Sequence, residues 1–383
     1  MAHCHERLAA RDIVRQRKIT AQKVRYVAMV KQIETNVLPI DAETPDASVI
    51  RRAADLLRRG EVVVFPTETV YGLGADTLQP EALEKIFIAK GRPFSDPLIV
   101  HIAEYHALEE LTGSIPEPAH RLARAFWPGP LTLLLPRGPR VPRLVTAGME
   151  TVAIRMPAHP VAQALIQALG SPIAAPSANR FMHVSPTTAE HALADLGGRV
   201  PLILDGGPCQ VGVESTILDL SGEVPTILRP GGVSLERLRA VLPSVQAPSG
   251  YETRSEDQAQ KAPGQLSTHY APAIPLLLFD GSEEAMRAAM LKELHRCMQR
   301  GERAGVLVAN ADLAAFQESG ALVFALGDAA RPAQVAASLF AGLRALEEAH
   351  VRVILCRNFS EHDLGLAVRD RLKRAAGGQV IQV

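Results

Sequence analysis

The sequence predicts a two-part α/β protein: an N-terminal open, twisted mixed sheet with helices outside, and a smaller C-terminal Rossmann-like parallel sheet. Over residues 36–243, short β-branched runs such as 62–64 alternate with amphipathic helical segments, and some strands follow one another directly. From residue 274 to 383 apolar strands and helices alternate, which is typical of parallel βαβ units. Between the two parts, residues 244–273 are polar and rich in turn formers, so we predict a linker there.

Local patterns define the elements of the N-terminal part. A helix over 46–59 has one apolar face and stops at Gly60, and a helix over 80–90 opens at Pro80 and closes at Gly91. The other predicted helices span 104–111, 117–125, 159–169 and 187 or 188 to 196. The predicted strands span 62–64, 98–100, 131–135, 152–154, 172–175, 202–204, 216–220 and 226–228.

The C-terminal part has a more regular pattern. Its predicted strands span 274–279, 305–308, 322–325 and 351–355, and its predicted helices span 283–299, 334–350 and 362–376. The first strand-to-helix turn, FDGSEE, lacks the glycine pattern G-x-G-x-x-G of a dinucleotide-binding turn, so we do not expect such a site there.

Composition restricts the class of protein. A chain of 383 residues with 47% hydrophobic and 21% charged residues is ordinary for a globular protein, and no apolar run is long enough to span a membrane. The net charge is zero, so any contact with RNA would need a local basic patch. The four cysteines are scattered without C-x-x-C spacing, which favours a reducing, cytoplasmic setting without disulfides or a zinc ribbon.

Polar side chains collect where the predicted strands end. The stretch FPTETVYGLGAD places Thr67 and Thr69 after the strand 62–64, and we interpret Gly72 and Gly74 as residues of a tight turn. Two cations, Lys90 and Arg92, lie at the end of the helix 80–90, and the imidazole of His101 follows the strand 98–100. This set suits a small anion such as a nucleotide phosphate, although a solvated helix end with matching cations is an equally good interpretation on local grounds.

Several catalytic signatures are missing from the sequence. There is neither a G-x-x-x-x-G-K-[ST] phosphate loop nor a G-x-S-x-G nucleophile turn. What remains is a set of arginines, hydroxyls and amides at strand ends, where open sheets place their ligand sites. We therefore expect catalysis by positioning and charge stabilisation, without a covalent nucleophile.

A series of motifs carries a resemblance to a known family. FPTETVYGLGAD, AK-GRP and DPLIVHI are followed in order by FWPGPLT, AIRMPAHP, APSAN, SPT, DGG, GVEST and LRPGG. Together they resemble the YrdC-like family. The later STHYAP, at residues 267–272, resembles the signature of the longer, two-domain members of that family, the threonylcarbamoyl-AMP synthases.

The resemblance implies a reaction. L-threonine, bicarbonate or CO2, and ATP would give L-threonylcarbamoyl-AMP and pyrophosphate, for transfer by a downstream tRNA threonylcarbamoyl transferase to the adenosine next to the anticodon. Mg2+ would accompany ATP, held by substrate oxygens and water. Two alternatives are an RNA-binding YrdC-like module and a carbamoyl transferase, although the expected aromatic residues and zinc-finger cysteines, respectively, are scarce or missing.

The resemblance also implies roles for individual residues, with Lys90 and Arg92 as the catalytic pair and no residue assigned as a metal ligand. The residues implied for ATP are Arg92, Asp96, Thr132, Asn179, Arg229 and Tyr270. Those implied for L-threonine are Thr69, His101, Ser177 and Ser215. One departure is residues 180–184, RFMHV, where family members usually carry Ser-Gly, so contacts at Ser185 and Thr187 are less secure.

Two segments carry further predictions. Residues 1–35 form a basic extension that we interpret as sequence upstream of a start at Met29, with an organellar presequence or a basic tail as alternatives. Within the linker, Gly264, His269 and Tyr270 suggest a lid that closes over ATP, and the alternative is a linker pinned permanently to the first domain.

Overall fold

The computed structural model describes residues 33–247, 260–264 and 269–383. It contains two sheets, one mixed and one parallel, each covered by helices. The α/β class predicted from the sequence is confirmed. The predicted start at Met29 and most of the linker lie outside the described residues.

The N-terminal part is built on a ten-stranded mixed sheet with the order β1-β8-β2-β3-β7-β4-β6-β5-β9-β10. Its strands are β1 (Asn36–Pro39), β2 (Val63–Phe65), β3 (Gly72–Asp76), β4 (Ile99–His101), β5 (Leu131–Pro136), β6 (Thr151–Arg155), β7 (Ile173–Ala174), β8 (Leu202–Asp205), β9 (Thr216–Asp219) and β10 (Thr226–Arg229). Strand β3 pairs antiparallel with β2 and with β7, whereas β5 runs parallel to β9.

Seven helices accompany this sheet among the described residues. They are α1 (Ala47–Arg58), α2 (Pro80–Lys90), α3 (Ala107–Leu111), α4 (Glu117–Phe126), α5 (Pro160–Leu169), α6 (Ala189–Leu196) and α7 (Leu235–Val241). Helix α1 begins where the Asp46 carboxylate accepts hydrogen bonds from two backbone N–H groups, and its apolar face is buried. Helix α2 has proline in its first turn and ends at Gly91, which adopts the left-handed conformation with φ of 65°.

The interpretation of Gly72 and Gly74 as turn residues is wrong, because both lie in strand β3. A Cβ atom on Gly74 would lie 2.7 Å from Ile173 and 2.8 Å from Phe65, so close packing between strands requires a glycine at this position. The strand was missed because its residues have little intrinsic β preference. Its pairing with two neighbours stabilises it instead.

The C-terminal part is built on a five-stranded parallel sheet with the order β13-β12-β14-β11-β15. Its strands are β11 (Leu276–Asp280), β12 (Ala304–Val308), β13 (Leu322–Ala325), β14 (Val353–Arg357) and β15 (Val380–Gln382). Its helices are α8 (Glu283–Gln299), α9 (Leu313–Phe316), α10 (Pro332–Glu348) and α11 (Gly365–Ala375), with a 3-10 turn at Asn310–Asp312. Strands β1, β3 and β15 and helices α7 and α9 were not predicted, and the predicted boundaries are shifted by a few residues.

A shared apolar cluster joins the two parts. Val70, Val184 and Val213 of the N-terminal part pack in the same buried cluster as Phe340 of helix α10 and as Tyr270 of the linker. The linker end and the C-terminal part therefore lie against the loops that follow β2 and precede β9. Within the described ranges, no helix is both long and apolar enough to cross a membrane.

Candidate active site

A cleft that is open to solvent lies at the ends of the central strands of the larger sheet. Seven of the residues to which the resemblance gives a role line it: Thr69, Arg92, His101, Ser177, Ser215, Arg229 and Tyr270. The other four, Lys90, Asp96, Thr132 and Asn179, do not line it, but each contacts one of the seven directly. The predicted clustering of strand-end side chains is therefore present.

On one wall, the threonines that follow strand β2 form a buried network. The hydroxyl oxygens of Thr67 and Thr69 lie 2.8 Å apart, and Arg155 Nη1 donates a hydrogen bond of 2.9 Å to the Thr69 hydroxyl. Arg155 also forms a 2.6 Å ion pair with Glu68, and both side chains are buried. Because the Arg155 charge is paired with Glu68, the guanidinium orients the Thr69 hydroxyl at the cleft.

A second network joins Ser215 to its neighbours. The hydroxyl of Thr132, on β5, lies 2.7 Å from the hydroxyl of Ser215, the residue before β9. Arg229, at the end of β10, donates from Nη2 to the Ser215 carbonyl at 2.8 Å and to its hydroxyl at 3.2 Å. Arg229 also donates to the carbonyl of Pro263 in the linker at 3.4 Å. Strands β5 and β10, the start of β9 and the linker are thus connected through Ser215 and Arg229.

Lys90 lies behind the cleft and organises the loop 175–179. Its Nζ donates to the carbonyl of Ser177 at 2.5 Å and to the carbonyl of Asn179. Asn179 in turn accepts a 2.5 Å hydrogen bond from the Ser177 hydroxyl, and its amide donates to the carbonyl of His183 at 2.8 Å. Complete burial lowers the pKa of Lys90 well below its ordinary value. Lys90 therefore faces loop carbonyls, and its catalytic role stays a prediction.

Arg92 is held by the turn that carries it. Its Nη2 lies 3.0 Å from the Asp96 carboxylate and donates to the carbonyl of Pro97 at 2.6 Å. Burial lowers the pKa of Arg92 and raises that of Asp96, and the attraction between the two charges opposes both shifts. Asp96 does not line the cleft, so its contact with Arg92 fixes the direction in which the guanidinium points.

His101, at the end of β4, is a buried imidazole. Burial, together with the charge of Arg155, lowers its pKa to about 3, so the ring is neutral at ordinary pH. The residue lines the cleft. A neutral imidazole there can exchange a hydrogen bond with a polar ligand.

The described end of the linker closes one side of the cleft. Tyr270 is buried, has a φ of 59°, and stacks on Phe340 with ring centroids 5.8 Å apart. A Cβ atom on Gly264 would lie 2.3 Å from the Tyr270 hydroxyl, and Gly264 itself has a φ of 80°. His269, which is also buried, lines the cleft beside Tyr270.

The departure from the family pattern at residues 180–184 forms a contact between the two parts. Met182 adopts a φ of 67°. His183 places Nδ1 2.9 Å from Asp195 and Nε2 2.8 Å from Glu347 on helix α10. Ser185 stays buried and donates a 2.5 Å hydrogen bond to Glu214, so the departure leaves this residue packed against the site.

Sequence reasoning missed two residues at the site. Glu214 lines the cleft, and Arg371 on helix α11 pairs with it at 2.7 Å. Glu214 lies within the GVEST motif, which could have identified it. Arg371 is one of several arginines on an ordinary amphipathic helix, and no local pattern distinguishes it.

Comparison with known proteins places the chain in a family. The model of the family described as "Telomere recombination" matches residues 55–231, and that described as "Threonylcarbamoyl-AMP synthase, C-terminal domain" matches residues 233–377. The chain is 47% identical to the threonylcarbamoyl-AMP synthase of Bacillus subtilis over 87% of this chain and 94% of that protein. It is 43% identical to the Pyrococcus abyssi protein of the same name, over 87% and 96%.

A solved structure agrees with these matches. The crystal structure of P. abyssi Sua5 complexed with L-threonine superimposes with a TM-score of 0.85 and 42% identity. The match covers 91% of this chain and 99% of that one, so it includes both sheets. The chain therefore belongs to the threonylcarbamoyl-AMP synthase family of enzymes.

Proposed function

We propose that this protein makes L-threonylcarbamoyl-AMP from L-threonine, bicarbonate or CO2, and ATP, with release of pyrophosphate. The observation that carries this proposal is the convergence of hydroxyls, a neutral imidazole and three arginines on one cleft, in a chain of this family. The product would serve modification of the tRNA adenosine next to the anticodon, through a separate transferase in the cytoplasm.

In the proposed reaction the substrates supply both reacting groups. The amine of L-threonine adds to CO2 and loses a proton, giving a carbamate. A carbamate oxygen then attacks the α-phosphorus of ATP, a new O–P bond forms, and the bond to the β-phosphate oxygen breaks with release of pyrophosphate. The protein needs to align the carbamate with the phosphorus and to stabilise the negative charge that develops on the phosphate oxygens.

The side of the cleft that carries the hydroxyls of Thr69, Ser177 and Ser215, here the hydroxyl side, suits the amino acid. Thr69, Ser177 and Ser215 each have a hydroxyl that a second side chain orients, namely Arg155, Asn179 and Thr132. His101 adds a neutral nitrogen. A small zwitterion with a side-chain hydroxyl can exchange several hydrogen bonds with such a set.

The side of the cleft that carries Arg92 and Arg229, here the arginine side, suits the nucleotide. Arg92 and Arg229 each carry a fork of N–H donors that matches phosphate oxygens, and both are buried, where such contacts are strongest. Tyr270 places its ring in the same cleft. We assign Asp96, Thr132 and Asn179 to the support of these groups, since they contact the lining residues from behind.

In this proposal the metal ion belongs to the nucleotide substrate. Across the described residues, no group of three or more His, Cys, Asp or Glu side chains is arranged around a metal position. Glu214 is the carboxylate that lines the cleft, and its two oxygens already accept hydrogen bonds from Ser185 and Arg371. We propose that Mg2+ enters as part of the substrate Mg-ATP, held by phosphate oxygens and water.

Pyrophosphate release tests this proposal. The purified chain should release pyrophosphate from ATP when L-threonine and bicarbonate are both present, and much more slowly when either is left out. L-alanine and L-valine are the matched controls, because each lacks the side-chain hydroxyl. Release at the same rate without an amino acid, or with L-valine, would exclude the assignment.

A further inference from the structure

Helix α11 of the C-terminal part reaches the cleft through one side chain. Arg371 is completely buried, and its Nε donates a 2.7 Å hydrogen bond to the carboxylate of Glu214. The same guanidinium lies over the ring of Tyr270, with its carbon 4.8 Å from the ring centroid. Glu214 and Tyr270 both line the cleft, and Arg371 does not.

The contact with Glu214 bears on the hydroxyl side of the cleft. The second carboxylate oxygen of Glu214 accepts a 2.5 Å hydrogen bond from Ser185, and its carbonyl accepts a 3.0 Å hydrogen bond from Gly232. Burial alone would raise the pKa of Glu214. The positive charges of Arg371 and Arg229 outweigh burial and hold this pKa below its ordinary value, so the group is a carboxylate. Because Ser215 follows directly in the chain, the position of Glu214 constrains the position of the Ser215 hydroxyl.

The contact with Tyr270 bears on the arginine side. The Tyr270 ring contacts the guanidinium of Arg371 and the ring of Phe340, and both of these neighbours come from the C-terminal part. A cation over a buried aromatic ring is an attractive contact that depends on a flat, stacked geometry. Removal of the guanidinium would leave one face of the ring without its partner.

Arg371 is itself held in place by a neighbour on its own helix. Its Nη1 donates a 2.5 Å hydrogen bond to Asp370, whose carboxylate also accepts a 3.1 Å hydrogen bond from Arg374. The Arg371 cation therefore faces two carboxylates and one aromatic ring. The arrangement fixes the direction of the guanidinium relative to the cleft.

We propose that Arg371 is a positioning residue for the reaction, through which the C-terminal part sets both halves of the cleft. It orients Glu214, and with it the hydroxyl side, and it orients Tyr270 on the arginine side. The inference rests on the proposed function, because it assigns L-threonine to the first side and ATP to the second.

Two substitutions separate the two contacts. Arg371→Met removes the charge and the stacked plane, so it should weaken the binding of L-threonine and of ATP, each by roughly tenfold or more. Arg371→Lys keeps a cation beside Glu214 but lacks the flat guanidinium. In Arg371→Lys the affinity for L-threonine should return to within about threefold of that of the unchanged protein, while the affinity for ATP stays low. A general loss of stability would weaken both affinities and would not produce this difference.

The experiment is titration calorimetry of the full chain with L-threonine and, separately, with Mg-ATP, alongside a thermal unfolding scan. Arg369→Met is the matched control, because Arg369 lies on the same helix and pairs with Asp280 and Glu361 inside the C-terminal part. It should leave both affinities within about twofold of those of the unchanged protein. If Arg371→Met does not fold, the double variant Arg371→Met with Glu214→Gln is measured instead, because it removes the carboxylate that the single substitution leaves unpaired.

The inference would be overturned if Arg371→Met binds L-threonine and Mg-ATP as tightly as the unchanged protein. It would also be overturned if Arg371→Lys weakens the two affinities equally. An unchanged protein that binds neither ligand would overturn the proposed function as well. The two failures are therefore distinguishable, because the unchanged protein alone reports on the function.

Discussion

The hydroxyl oxygens of Thr132 and Ser215 lie 2.7 Å apart, which joins strand β5 to the residue that precedes its parallel neighbour β9. Both side chains are buried. Ser215 lines the cleft and Thr132 does not, so the contact orients a hydroxyl at the site from behind.

Thr132→Val should therefore raise the KM for L-threonine by several-fold, because the Ser215 hydroxyl loses the partner that orients it. A neutral hydrogen bond contributes about 0.5–1.5 kcal/mol, so a change of up to roughly tenfold is expected. Steady-state pyrophosphate release measures it.

Thr151→Val is the control for this substitution. Thr151 begins strand β6, and its hydroxyl has no hydrogen-bond partner in the described part of the chain. We expect its KM for L-threonine to match that of the unchanged protein. Equal effects of the two substitutions would show that the Thr132 contact does not orient the site.

Lys90→Met should lower both the free energy of unfolding and the affinity for L-threonine. The substitution leaves the carbonyls of Ser177 and Asn179 without their donor, at a cost of about 1–3 kcal/mol for each buried group that stays unsatisfied. Urea unfolding and L-threonine titration measure the two effects. Lys85→Met is the control, since Lys85 lies on the same helix in a partly exposed pair with Glu61. A Lys90→Met variant that is as stable as Lys85→Met would contradict the described role.

Arg92→Lys and Arg229→Lys should each lower kcat/KM for ATP by roughly ten- to hundredfold. A charge-assisted phosphate contact contributes about 1.5–3 kcal/mol, and lysine keeps the charge but loses the fork of donors. Arg357→Lys is the control, because Arg357 is a buried arginine paired with Asp312 in the other sheet. If ATP use is unchanged while stability falls as in Arg357→Lys, Arg92 and Arg229 serve the fold alone.

The contact of His183 with Asp195 and Glu347 should make stability depend on pH. Burial lowers the pKa of His183, but the hydrogen bonds that its ring donates to the two carboxylates raise it to a value above the ordinary 6.5, against the repulsion of Arg344. Arg180 also lies 3.6 Å from Asp195. Since the folded state holds the proton more tightly, the stabilisation is complete below about pH 6.5 and is lost as pH rises through the raised pKa.

Urea unfolding at about pH 6 and about pH 9 tests this dependence, with His183→Gln compared with the unchanged protein. The difference in free energy of unfolding should be larger at the lower pH. His362→Gln is the control, because the His362 side chain is 82% exposed and its pair with Glu236 is 3.5 Å long. A difference for His183→Gln that grows with pH would contradict the account.

Local signals predicted six of the seven helices described for the N-terminal part. Helix α2 carries proline in its first turn and a left-handed glycine at its end, and both signals act within a few residues. Strand β3 was missed because nothing local favours it. It forms through pairing with strands on either side, and Gly74 is needed only because Phe65 and Ile173 approach it.

Much of the site was predictable for a similar reason. Thr69 follows strand β2, His101 ends strand β4 and Ser215 precedes strand β9, so strand ends bring all three to the cleft. The contact between Arg371 and Glu214 was not predictable, since it joins residues 157 positions apart in different parts of the chain. The orientation of Lys90 away from the cleft was also hidden, because a loop 87 residues away supplies its partners.

Isotope tracing of the product tests the central claim most directly. The chain is incubated with ATP, 13C-bicarbonate and 15N-L-threonine, and the nucleotide products are resolved by mass spectrometry. We predict one adenylate that carries both labels, formed in equal amount to pyrophosphate. An adenylate that carries 15N without 13C, or pyrophosphate released without any doubly labelled adenylate, would contradict the assignment.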